Sequence, residues 1–550
     1  MSLLSKQDLP WRQLLLKGCN AYLTCQQLLT RSYLRERFCQ PFNRVYRCQL
    51  TLVHPTQQKT SLCKYSNDQF WVQLVALVVG EFGRIQCNNG TRAISVYAPL
   101  GSESQGSFAL ETANAGLSFF ETLFKSPYIL PKLDLVAIPD FAAGAMENWG
   151  LMTFRTTKLL CNTTKTDLSA EKSIADAVLH EISHQWLGNL VTMETWASLW
   201  LKESLATWMA HYARSRLFVT HGAWLEFVTD WQQTALEMDA LRNSHPIEDL
   251  QSSKDESVQI FDDISYRKGC SMILMLAQAV GEENFFEGIR TYLSRYAFSS
   301  ASSEDFWAAV EETNGSKIGA QMRVWTRKQG FPMVTVTESR EAGNSAPQMT
   351  HRQIHISQNR FLTAGNMTVD EDEVIYPLQI SIRFKDSVQE LPFFARNICF
   401  SIPNSAIFKV NVDHHGFYRT LYPKDHFRRL AQAHGEGWLS VEDRVGILSD
   451  ATALAKAGLQ NVGDFLDLII AMQYDTDYHV WVQIVKSITA IRAAWIFGDD
   501  DVFVGLGHFF QDILKRKMGK DGGSVMENRD LSDEFKALLL RASGEAGTPT

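Results

Sequence analysis

The chain has 550 residues, 45% hydrophobic and 21% charged, which suits a globular protein of several domains. A net charge of −8 argues against nucleic acid as a main partner, and no apolar run reaches membrane-spanning length. Nine cysteines, odd in number and without paired spacing, point to reduced thiols and a cytoplasmic location.

In chain order, residues 1–65 carry ten Lys or Arg against two acids. An Arg-rich, acid-poor start can be a mitochondrial transit peptide, but the length, cysteines and aromatics here argue otherwise. A signal-peptide core is also lacking, so the Asn-x-Ser/Thr sites at Asn89, Asn162, Asn314 and Asn366 are read as incidental. Leu74 to Val79 is strand-sized. Gly144-Ala145-Met146-Glu147-Asn148, taken alone, reads as a tight turn at a sheet edge.

Ser173 to Leu187 is apolar on most faces, which predicts a buried helix. His180 and His184, four apart, share one face of it and can ligate one metal. Glu181, beside the first ligand, can point at the metal's open side as the base for a bound water. A second helix, Leu199 to Leu217, presents Glu203 near its start as the third ligand. Two His and one Glu with an open fourth position form a catalytic zinc arrangement. The plain alternative is an exposed helix with two solvated histidines. The apolar surroundings oppose it, because buried imidazoles and a carboxylate need a partner. Further on, Tyr266 lies in Ile260 to Gly269; alone it would be a packed aromatic with a wet hydroxyl.

Taken together, Gly144–Asn148, His180-Glu181-x-x-His184 with Glu203, and the Tyr266 segment resemble the gluzincin zinc metallo-aminopeptidases. The likeness is to the puromycin-sensitive and alanyl type and runs over roughly residues 70–550, with Asp239 to Glu248 a further similar stretch. It implies one Zn²⁺ per chain on His180, His184 and Glu203, with Glu181 as the base. Tyr266 would donate a hydrogen bond to the oxyanion of the tetrahedral intermediate. Glu147 would bind the substrate's free α-amine, with Gly144, Ala145, Met146 and Asn148 lining the peptide. The implied substrates are small peptides with a free N-terminus; oligomeric state is not indicated.

The implied fold class is a multidomain α+β protein. A divergent remnant of an N-terminal β-domain (1–92) precedes a thermolysin-like zinc peptidase domain (93–330). A β-sandwich (331–422) and a truncated α-helical domain (423–550) follow. Met333 to Val336 and Leu378 to Ile382 alternate as strands. A helix is predicted after Trp438 to Arg444, with Ser440 as N-cap and Asp443 in the first turn. The pattern departs from the family in places. No Gln-x-Glu loop supplies a second carboxylate for the amine: Arg31 to Arg37 holds only Glu36, and Phe42 to Pro55 keeps a faint strand likeness. The helical domain is expected to stop in mid-course near Ala537 to Arg541. Ser204 stands where Gly is usual, and Ala197-Ser198 replace more polar residues. Two alternatives remain: a catalytically weak relative with a binding or regulatory role, and a bifunctional epoxide hydrolase of the leukotriene type. The latter branch has Gly-Gly where this chain has Gly144-Ala145.

Overall fold

The computed structural model describes residues 21–24, 74, 76–90, 92–162, 168–248, 262–339, 351–365, 367–518 and 532–546. Arg31 to Arg37 with Glu36, Phe42 to Pro55, Ile260, Phe261 and Asn366 lie outside the described residues. The chain divides into two compact units. The first takes in residues 1–223, 253–260 and 280–319; the second takes in 224–252, 261–279 and 320–550. Both mix helices with sheets, a multidomain α+β architecture.

In the first unit β1 (Ala21–Thr24) pairs antiparallel with β2 (Ala76–Val79). A five-stranded sheet has the order β3 (Phe82–Asn89), β4 (Arg92–Pro99), β5 (Lys132–Ile138), β7 (Leu151–Arg155) and β6 (Ala145–Met146). β4, β5 and β7 are parallel, while β3 and β6 run antiparallel at the two edges. Leu133 to Ile138 of β5 are all buried, as the middle strand of a covered parallel sheet requires.

Helix α1 (Ser107–Phe124) buries Ala109, Ala113, Leu117, Phe120 and Phe124, one stripe at helical spacing. It packs against α2 (Leu168–Ser183), whose Ile174, Val178 and Ile182 are fully buried. Gly116 permits the close approach: a Cβ there would come within 2.6 Å of Leu179. α3 (Leu199–Leu217) is buried on every face from Leu199 to Arg214. Such a helix must pair each charge it carries. Arg214 meets Asp176 of α2 at 2.8 Å and so ties the two helices together. α4 (Glu282–Tyr296) and α5 (Ser303–Asn314) pack on each other, and β8 (Val191–Met193) pairs in parallel with β9 (Ser299–Ala301).

In the second unit, strands form two sheets: β14-β11-β10-β16 and β13-β12-β15. β10 is Pro332–Ser339, β11 His351–Arg360, β12 Leu378–Phe384, β13 Val388–Phe393, β14 Asn397–Pro403, β15 Phe408–Val410 and β16 Arg419–Leu421. The helix Val441–Lys456 starts with a capping box between Ser440 and Asp443. Asp443 also accepts from Lys409 and Arg383 at 2.9 and 2.6 Å, binding the helix to β15 and β12. Further helices span Val462–Met472, Tyr478–Ala494, Asp500–Met518 and Asp533–Glu545.

Tyr266 also belongs to the second unit, in a wide helical turn, Ile264–Lys268, that leads into the helix Gly269–Val280. Asp262 accepts from the backbone N–H of Ile264 and Ser265, both at 3.0 Å, and from His245 Nε2 at 2.6 Å. At the far end, Lys268 and Asp239 form an ion pair at 2.8 Å with no solvent exposure on either side chain. Removing one partner of such a pair strands a buried charge. Lys268→Met should therefore destabilise the second unit by about 3–5 kcal/mol. Chemical denaturation measures this, and a change below about 1 kcal/mol contradicts a buried ionised pair.

Candidate metal and catalytic centre

The first unit brings His180, His184 and Glu203 together, from α2, the turn after it, and α3. α2 ends at Ser183, short of the expected Leu187. The cause lies at Gly188, whose φ of +130° turns the chain back, so that Asn189 N–H donates to His184 O at 2.9 Å. His184 N–H still donates to His180 O at 3.2 Å, so the two imidazoles keep one-turn spacing. A Cβ on Gly188 would lie 3.2 Å from His184 Nδ1 and 3.3 Å from Lys202 Cδ, so this glycine also backs the site.

The two imidazole Nε2 atoms lie 3.0 Å apart, and each is 3.4 Å from Glu203 Oε2. Metal–ligand bonds of about 2.0–2.1 Å place tetrahedral ligand atoms roughly 3.3–3.4 Å apart. The three atoms therefore have the spacing of one face of a coordination tetrahedron. His184 Nδ1 sits 2.8 Å from Leu187 O, which makes Nδ1 the protonated nitrogen and leaves the Nε2 lone pair facing inward. Glu181 is 5% exposed, and its Oε2 has no hydrogen-bond partner. A buried carboxylate oxygen without a donor fits a base that awaits a water at an ion.

Charge supports the same reading. Glu147, Glu181, Lys202 and Glu203 are 4%, 5%, 7% and 4% exposed. Ionised, three carboxylates against one ammonium leave two negative charges, which one divalent cation cancels. Burial raises the Glu181 carboxyl well above the usual carboxylate range, and Glu147 and Glu203 add to the rise. Burial also opposes charge on Glu203, but Lys202 and His184 outweigh it and hold that carboxyl well below its usual range. For His184, burial is outweighed by Glu147 and Glu203, which lift the imidazole to about 9.

Residues 144–148 take the sheet-edge position that their sequence suggests. Ala145 and Met146 form edge strand β6, paired with Phe154 and Thr153. Gly144 is exposed, and Glu147 and Asn148 are buried. The Glu147 carbonyl accepts from Gln185 and Asn189 at 3.3 and 2.9 Å. Its carboxylate, together with Glu181 and His184, forms a second close cluster. Thr153 Oγ1 donates to Asn148 Oδ1 at 3.1 Å. Gln185, Gly188, Asn189 and Lys202 were not singled out in the sequence. For Lys202 a signal existed: a lysine placed directly before the candidate ligand, inside the apolar start of the helix (Leu199, Trp200, Leu201). In the fold its ammonium bonds Glu147 Oε1 and lies 3.4 Å from Glu203 Oε1. Tyr266 lies in the second unit.

Residues 108–325, which hold all of this cluster, match the peptidase family M1 domain. The chain carries a peptidase family M1 domain. Residues 407–550 match the ERAP1-like C-terminal domain. The alanine/arginine aminopeptidase of Saccharomyces cerevisiae is 35% identical over 476 residues, covering 86% of this chain and 54% of its own length. Aminopeptidase 2 of Candida albicans is 37% identical over 479 residues, with 86% and 51% covered. Aminopeptidase M1-A of Oryza sativa subsp. japonica is 38% identical over 486 residues, with 86% and 54% covered. The chain thus spans about half the length of these relatives. Among the described residues, no helix is long and apolar enough to cross a membrane.

The lifted His184 gives a test. Metal-free, it carries a proton at neutral pH; as a ligand it must be neutral. Zinc uptake near neutral pH should therefore release at least one proton. The released proton appears as a calorimetric heat that varies with the buffer's ionisation enthalpy. Binding without that variation contradicts the assignment.

Proposed function

We propose that this chain is a zinc-dependent aminopeptidase that removes N-terminal residues from small peptides. The observation that carries this reading is the triangle of His180 Nε2, His184 Nε2 and Glu203 Oε2, with the orphaned Glu181 oxygen in the same buried cluster. The family M1 match and the names of the relatives support it. One Zn²⁺ per chain, held by His180, His184 and Glu203, would supply an acidified water and polarise the scissile carbonyl.

Glu181 takes the proton from the attacking water and delivers it to the leaving amine. Its buried, raised carboxyl suits both steps. His184 is oriented for its part by the Leu187 carbonyl. β6 is an edge strand, and along its outer side a peptide can lie as an added strand. Asn148 is held against Thr153, and Glu147 pairs with an ammonium group. Tyr266 is assigned the oxyanion hydrogen bond on the sequence resemblance. The expected domains (1–92, 93–330, 331–422 and 423–550) and a cytoplasmic location belong to the same proposal.

A catalytically weak relative is the second reading, favoured by one observation: Lys202 already engages Glu147. Turnover by the zinc-loaded wild type, set beside one variant, separates the two. Glu181→Gln should keep one zinc per chain and lower turnover of L-alanine and L-arginine 4-nitroanilide by about 10²–10⁴-fold. Undiminished turnover sinks the role given to Glu181. A zinc-loaded wild type without turnover supports the weak relative.

A further inference from the structure

Lys202 is a long, flexible cation on a helix buried on every face, and it does not reach solvent. It is 7% exposed, with its stem against Gly188 and its ammonium on Glu147 Oε1 and within 3.4 Å of Glu203 Oε1. The fold thus shows Glu147 to be a carboxylate that binds an alkylammonium, and the alkylammonium it holds comes from the chain itself. We propose that Lys202 is an internal occupant of the ammonium site at Glu147, competing there with the α-ammonium of a peptide. The proposal rests on the aminopeptidase reading and deepens it.

The competition follows from the geometry. Lys202 already bonds Glu147 Oε1, so an α-ammonium reaches that oxygen only when Lys202 moves off, and one ammonium then replaces another at little net gain. Without the lysine ammonium the buried Glu147 carboxylate is open to the α-ammonium. Lys202 thereby sets specificity: this chain should discriminate weakly between free and blocked N-termini, and loss of the lysine charge should restore the discrimination.

The probes are L-alanine hydroxamate and N-acetyl-L-alanine hydroxamate, which share a metal-binding group and differ only in the ammonium. Their dissociation constants are measured by calorimetry on the zinc-loaded full chain. The wild type should bind the two within about threefold of each other, whereas Lys202→Gln should bind the free amine tighter by about tenfold or more. Affinity of Lys202→Gln for the acetylated probe should stay within about threefold of wild type. In Lys202→Gln/Glu147→Gln the gained preference should disappear. A wild-type preference for the free amine above about tenfold overturns the proposal, a result that needs no variant to fold. So does unchanged or weaker amine binding in Lys202→Gln. Absence of anilide turnover alongside the predicted binding pattern would sink the hydrolytic reading and leave this inference standing.

Discussion

Ionised side chains crowded away from water govern the first unit. Three carboxylates, an ammonium and two imidazoles meet where each charged residue is less than a tenth exposed. Such a cluster is stable only if its charges cancel and its lone pairs have partners. Lys202 supplies one positive charge from within the chain. A proton on His184 supplies another while Glu181 stays neutral, and a divalent cation would take over that balance once Glu181 ionises. Fold and chemistry thus share one electrostatic requirement.

The frame keeps His180, His184 and Glu203 in place by ordinary packing. α3 is enclosed on all faces, so Glu203 and Lys202 have little freedom. Arg214 on Asp176 fixes α3 to α2, and the Gly116 contact fixes α2 to α1. Beyond α2, Trp186 donates to Ser126 O at 3.1 Å and packs against Phe124, anchoring the turn that carries His184. Gln185 and Asn189 from the same turn hold the Glu147 carbonyl, so one short segment orients both His184 and the edge strand. The second unit is organised by its own buried ion pairs, Lys268 with Asp239 and Asp443 with Lys409 and Arg383.

The parts most legible in the sequence are those set by local spacing. The His180/His184 interval, the α3 span and the Ser440–Asp443 cap follow from helical geometry and side-chain reach, and each appears as expected. α2 ends four residues before the apolar run does, because that run continues to Leu187 while the backbone turns at Gly188. Periodicity cannot see a turn that an interior glycine makes inside an apolar run. The inward turn of Lys202 is hidden in the sequence for a related reason. A lysine in sequence reads as a solvated charge; only tertiary burial of α3 on all sides turns it inward onto Glu147. The wide turn at Tyr266 likewise depends on distant partners, His245 at Asp262 and Asp239 at Lys268.

The central claim is that the buried cluster holds a cation through two imidazoles and one carboxylate. X-ray absorption at the zinc edge of the purified, zinc-loaded chain tests it most directly. The account predicts a first shell of nitrogen and oxygen at about 2.0–2.2 Å, with the outer-ring signature of two imidazoles and no sulfur. Scattering from thiolate sulfur at about 2.3 Å, or a shell without imidazole, would contradict it.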